Sequence, residues 1–177
     1  MNSEEYLIRL EVFSIALSNG LMSKSEVINW ADHILLESAH PDHLVIELSL
    51  LENKNTNEII STLNGYLKGI KHKISGRIVL GMLYKLYHDE QIPFKKVLDT
   101  IDWLFWNGNL SIEEENIMEF FGLSYDFVED GILDSIEDAK EEVLPFLENY
   151  KDFDLDDPSN WERINKSVEN KLKNGSL

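Results

Sequence analysis

The chain has 177 residues, 43% of them hydrophobic and 10% aromatic, with no cysteine and a formal net charge of −17. That length suffices for one domain with a substantial core, and the missing cysteines exclude disulfides, thiol catalysis and cysteine-ligated metal centres. The start, Met1-Asn-Ser-Glu-Glu-Tyr, lacks the basic and apolar regions of a signal peptide, and the longest apolar run, Ile78 to Tyr84, is far shorter than the roughly twenty residues that span a bilayer, so the expectation is a cytoplasmic protein with no membrane partner.

Taken in order, nearly every segment reads as helix. Asn2 or Ser3 can cap the first, with Leu7, Leu10, Ser14 and Leu17 at helical spacing until Gly20 stops it. Ser23-Lys-Ser-Glu26 is a capping box opening a helix to about Glu37. His40-Pro41 breaks the chain, and Pro41 suits the first turn of a short helix through Leu51. Asn55 and Glu58 form an approximate second box ahead of Ile59, Leu63 and Leu67. Ser75 can start the next helix, with Ile78, Val79, Met82, Leu83 and Leu86 on one side.

Pro93 begins the helix that holds Val97 to Trp106, and Gly108 closes it. Ser111-Ile-Glu-Glu114 is another capping box, leading into Ile117, Phe120 and Phe121, with a separate short piece around Tyr125 to Val128. Gly131 interrupts, and an amphipathic helix from Ile132 to about Tyr150 carries Asp134, Asp138, Glu141 and Glu142 opposite Ile136, Val143 and Leu147. Pro145 within it predicts a kink or a break. Asp157-Pro158-Ser159 caps a last helix through Trp161, Ile164, Val168 and Leu172. No alternating run long enough for a strand appears. The expectation is an all-α fold of about nine helices in a single domain, residues 1–173, with 174–177 as a frayed tail. Its architecture is an irregular bundle or a short stack of helical hairpins, since helix pairs recur at roughly the period of helical repeats without a residue-level repeat.

Charge is distributed unevenly. From Asp99 to Glu162 the chain carries twenty acidic residues and two basic ones, yet also nine Phe and Trp, so the segment folds rather than remaining a disordered acidic tail. Such a field repels nucleic acid and anionic membranes and attracts basic surfaces. Five bases between Lys68 and Lys85 form a short basic band; Lys68 to Arg77 is readable as a phosphate site, with Lys71-His72-Lys73 ahead of Ser75, or as an electrostatic partner for the acidic half, within one molecule or across a head-to-tail dimer.

The helix at 97–106 is the most informative. At 100° per residue, Val97, Leu98, Ile101, Leu104 and Phe105 share one face, and Trp103 and Trp106 fall opposite, beside Asp99 and Asp102. Either this helix is buried on both sides, or the tryptophans anchor a binding patch ringed by carboxylates. The candidate partner-binding residues are Asp99, Asp102, Trp103, Trp106, Asp134, Asp138 and Glu141.

Catalytic and metal signatures are missing. Asp152-Phe-Asp154-Leu-Asp156 resembles the start of a calcium loop, but Asp157 stands where Gly is needed and Arg163 where a bidentate Glu is needed. The five histidines show no HExxH spacing, no serine sits in a Gly-x-Ser-x-Gly elbow, and no glycine-rich phosphate loop occurs. No catalytic residue, metal ligand or cofactor is assigned, and the chain reads as a binding protein rather than an enzyme.

The stretch Gly20-Leu-Met-Ser-Lys-Ser-Glu-Val-Ile-Asn-Trp30-Ala-Asp, followed by Leu48-Ser-Leu, resembles segments of small acidic helical bacterial proteins, some of them immunity partners of toxins. The resemblance covers about thirty residues and transfers no functional residue. It implies an inhibitor of immunity type that neutralises a basic toxin, such as a nuclease, by covering its nucleic-acid site with carboxylates. The alternative is a solenoid-like scaffold that binds a peptide or helix in a groove. Both predict a basic or helical protein partner and no nucleic acid.

Overall fold

The computed structural model describes residues 3–129 and 136–177, with side chains described outside 122–129 and residue 136. Among these residues all regular structure is helical: α1 (Ser3–Ser18), α2 (Lys24–Glu37), α3 (His43–Ser49), α4 (Thr56–Leu67), α5 (Lys73–His88), α6 (Phe94–Asn107), α7 (Ile112–Glu129), α8 (Ile136–Glu148) and α9 (Trp161–Lys173), the last entered through a 3₁₀ turn, Pro158–Asn160. The all-α expectation is met. Residues 130–135, with the interruption expected at Gly131, lie outside the described residues.

All three expected capping boxes form. Ser23 N–H donates to Glu26 Oε2 at 2.7 Å and Glu26 N–H to Ser23 Oγ at 3.4 Å. The Asn55 box closes at 3.1 and 3.0 Å, because the Asn amide oxygen presents the same acceptor as a hydroxyl. At Ser111 the reciprocal distances are 2.9 and 3.3 Å. Four boundaries differ from expectation. α5 begins at Lys73 with His72 at its cap, so Ser75 is not the start but a buried residue of the first turn. Asp42 rather than Pro41 opens α3, its carboxylate accepting the Leu44 N–H at 2.8 Å. No break separates Phe121 from Tyr125, since α7 runs on to Glu129. α8 also continues through Pro145 to Glu148, so the proline does not end it.

The chain divides into two compact units, residues 1–71 and 72–177. In the first, α1 lies along α4, α2 pairs with α3, and α3 also meets α4. α1 is buried at every position from Ile8 to Leu17, which includes Arg9, Glu11 and Ser14, so it is a central rather than a surface helix. Ser14 Oγ donates to Asn64 Oδ1 at 2.7 Å, tying α1 to α4. Trp30 packs edge-on against Phe13 with centroids 5.0 Å apart, and Tyr6 lies between Trp30 and Tyr66. Lys24 Nζ donates to the carbonyls of Glu52 and Lys54, both at 2.8 Å, and closes the turn after α3.

In the second unit α5 is the hub, touching α6, α8 and α9, while α6, α7 and α8 pack in succession. A glycine makes one of these approaches close. A Cβ at Gly81 would stand 2.5 Å from the Tyr150 carbonyl oxygen and 3.2 Å from Phe153 Cβ. The obstacle is largely backbone and cannot swing aside. Gly81→Ala should therefore destabilise the protein by about 1–3 kcal/mol despite the higher helix propensity of alanine; urea denaturation would read this, and an unchanged midpoint would mean that the two segments are looser than the packing shown.

Candidate functional site

The second unit holds 23 acidic and 11 basic residues, and its surface combines that charge with exposed aromatic side chains. On α6, Phe94, Val97, Leu98, Thr100, Ile101 and Leu104 turn inward. Thr100 extends the buried face toward Trp103, which is consequently half-buried. Trp106 lies on the opposite side and is 73% exposed. Asp99 and Asp102, seven and four residues before Trp106, continue the same exposed stripe toward the start of the helix. Phe105 supports the indole edge-on, with centroids 4.8 Å apart. Lys95 approaches Asp99 at 3.7 Å, an exposed contact that barely reduces the negative field. Of the two tryptophans, the structure thus sets Trp106 in solvent and tucks Trp103 against the helix flank.

α7 shows two stripes. Glu114, Met118 and Phe121, at i, i+4 and i+7, face the core, and Phe121 packs edge-on against Phe146 of α8 with centroids 5.2 Å apart. Ile112, Asn116 and Phe120, at i, i+4 and i+8, face outward, with Ile112 71% and Phe120 68% exposed. Between α7, α8 and residues 176–177 runs a groove of about 700 Å³, floored by Ile117, Phe121 and Phe146 and edged by Phe120, Pro145 and Glu142. Asp138 precedes Glu142 by one turn on the same side of α8, and Glu141 is exposed beside them. Lys140 points the other way, its Nζ 5.7 Å from the centroid of Phe94 at the start of α6. Trp106 sits twelve residues further along α6, about 18 Å from that contact. Asp138 and Glu141 therefore belong to the groove side of α8, while Asp99, Asp102 and Trp106 form a stripe of their own. Asp134 lies outside the described residues. Phe120, Glu142 and Pro145 were missed by the sequence reading, although the four-residue spacing of Ile112, Asn116 and Phe120 beside a second apolar stripe was the available signal.

Beneath these surfaces lies a buried ionic cluster. Arg77 of α5 and Glu114 of α7 have fully buried side chains joined in a two-pronged pair, Nε to Oε1 at 2.8 Å and Nη2 to Oε2 at 2.9 Å. The Glu114 carboxylate also accepts the Tyr150 hydroxyl and the Ser111 N–H, each at 2.9 Å. Arg77 Nη1 donates to Asn165 Oδ1 and reaches Glu169 Oε1 at 3.5 Å, which brings in α9. Burial pushes the Glu114 carboxyl up, but the hydrogen bonds and charge of Arg77, with Ser111 and Tyr150, prevail and hold it below its ordinary range. Burial and the neighbouring Glu114 drive the Tyr150 hydroxyl far up, so it stays a donor. This corrects the reading of Arg77 as part of a phosphate band: a side chain with no exposed surface meets no external anion. The basic band is instead partly an internal counterpart of the acidic half, with Lys85 also paired to Asp154 at 3.0 Å.

The aspartate-rich loop after α8 is occupied by the fold. Phe153 is buried, Asp154 accepts from Lys85 and from the Asp156 N–H at 2.9 Å, and its carbonyl accepts the Trp161 indole N–H at 2.6 Å. Among the described residues no group of three or more His, Asp or Glu is placed to hold a metal ion, and no helix is long and apolar enough to cross a membrane. No family model, curated protein or solved structure matches the chain.

Proposed function

We propose that the protein is a non-catalytic, cytoplasmic binding protein of immunity type, which neutralises a basic protein partner, such as a nuclease toxin, through the acidic face of its second unit. The observation that carries this reading is Trp106, 73% exposed in line with Asp99 and Asp102 on α6. An exposed tryptophan costs solubility and is the side chain most enriched at interface hot spots, and surrounding carboxylates select a basic counterpart and speed its approach. The resemblance carried by Gly20 to Asp32 and by Leu48-Ser-Leu, about thirty residues in all, supports the narrower immunity reading.

The test starts with capture from the host lysate at low salt and identification of a stoichiometric basic protein released by a salt step. With that protein in hand, Trp106→Ala should weaken the complex by about 2 kcal/mol, and Trp103→Ala by less because Trp103 is half-buried. Asp138→Lys should chiefly slow association, and added salt should have the same effect. A complex indifferent to Trp106→Ala would remove this face from the reading.

A further inference from the structure

We propose that the groove between α7 and α8 receives an amphipathic helix of the protein partner, its apolar side chains on Phe120, Phe121 and Phe146 and its lysines or arginines along the Asp138–Glu142 edge. This rests on the reading that the second unit binds a basic protein, and adds the part of that partner which enters the fold. The floor and one wall are apolar, with Ile117, Phe120, Phe121, Pro145 and Phe146 converging on about 700 Å³. That is room for two or three apolar side chains, as a helix laid in a groove presents at i, i+3 or i+4, and i+7.

The edge selects the charge of the occupant. Among the described residues of the lining Glu142 is charged and none is lysine or arginine, and Asp138 and Glu141 extend the edge toward the start of α8. Lys171 donates to Asn149 Oδ1 at 2.8 Å and helps line the adjacent polar pocket. A helix bearing acids on its flank would face the exposed carboxylates of Asp138, Glu141 and Glu142, whereas lysines or arginines would complement their charge.

The test uses a synthetic peptide of about 18 residues, about five helical turns, with leucines on one face and lysines beside them. Two control peptides replace the lysines by glutamates or the leucines by serines. Anisotropy titration should show binding of the lysine peptide alone, weakened about tenfold or more by Phe120→Ser, and reduced with a flatter salt dependence by Glu142→Lys. Phe120 is exposed, so its replacement leaves the core in place, and circular dichroism would verify that. No binding, equal binding by Phe120→Ser, or equal binding of the glutamate peptide each overturns the proposal. So does binding that appears only after removal of residues 174–177, which assigns the groove to the chain's own tail, or a dimer that Phe120→Ser dissociates, which assigns it to a second copy. Failure here leaves the Trp106 test of the partner complex standing, because Trp106 lies on α6 and contributes nothing to the groove.

Discussion

Glu114→Ala is expected to destabilise the second unit by about 3–5 kcal/mol, the loss typical when one partner of a buried ion pair is removed. The reason lies less in the attraction lost than in what remains. Arg77 would keep its charge with no exposed surface, and the Tyr150 hydroxyl and Ser111 N–H would lose their acceptor. Replacing both charges, as in Arg77→Leu with Glu114→Leu, should cost distinctly less than the sum of the single changes, since no orphaned charge is left. Guanidinium denaturation of the two single variants and the double variant measures this directly. Additive losses would show that the pair does not act as a unit.

The same pair predicts a pH dependence. The Glu114 carboxyl is held below its ordinary value of 4.5 in the folded protein, so its stabilisation is complete above about that pH. It is lost as pH falls through the lower folded value, where the folded carboxylate is forced to take a proton. Unfolding free energy should thus decline on the acid side of pH 4.5, and Glu114→Gln should flatten that limb. A slope identical in the wild type and Glu114→Gln would place the acid sensitivity in other carboxylates.

Trp161→Ala carries an expected loss of similar size, about 3–5 kcal/mol. Trp161 is 2% exposed at the first turn of α9, and its indole N–H closes on the Asp154 carbonyl at 2.6 Å. Truncation would leave a large cavity under the 151–157 segment and free that carbonyl. It would also loosen the Lys85–Asp154 pair and the turn in which Asp154 accepts the Asp156 N–H. Trp161→Phe retains much of the volume and should cost much less, with the lost hydrogen bond contributing about 1 kcal/mol. Thermal unfolding of the two variants separates packing from hydrogen bonding. Equal shifts would mean that the indole N–H, rather than the ring volume, dominates.

Helix positions and caps were legible from the residues alone, and the physical reason is range. A capping box joins groups three residues apart, and an apolar stripe repeats within one or two turns, so Ser23, Asn55 and Ser111 announce their helices without knowledge of the rest of the fold. The acidic and aromatic character of the second unit was equally plain, as was the opposition of Trp106 to the core face of α6. Packing decided the rest. Thr100 faces inward because a neighbour covers that side, which half-buries Trp103 and leaves Trp106 as the exposed anchor. Phe120 and Phe121 are adjacent and similar, yet one faces out and the other meets Phe146, because successive helical positions point 100° apart and only one can enter the contact with α8. Glu114 has the spacing of a cap and acts as one, but its second role depends on Arg77, 37 residues earlier. Nothing local in either segment fixes that pairing. The sequence by itself determined the helices, their caps and the sign of the surface; the tertiary structure alone decided which charge is buried, which tryptophan is exposed and where the groove opens, because those depend on contacts between residues far apart in the chain.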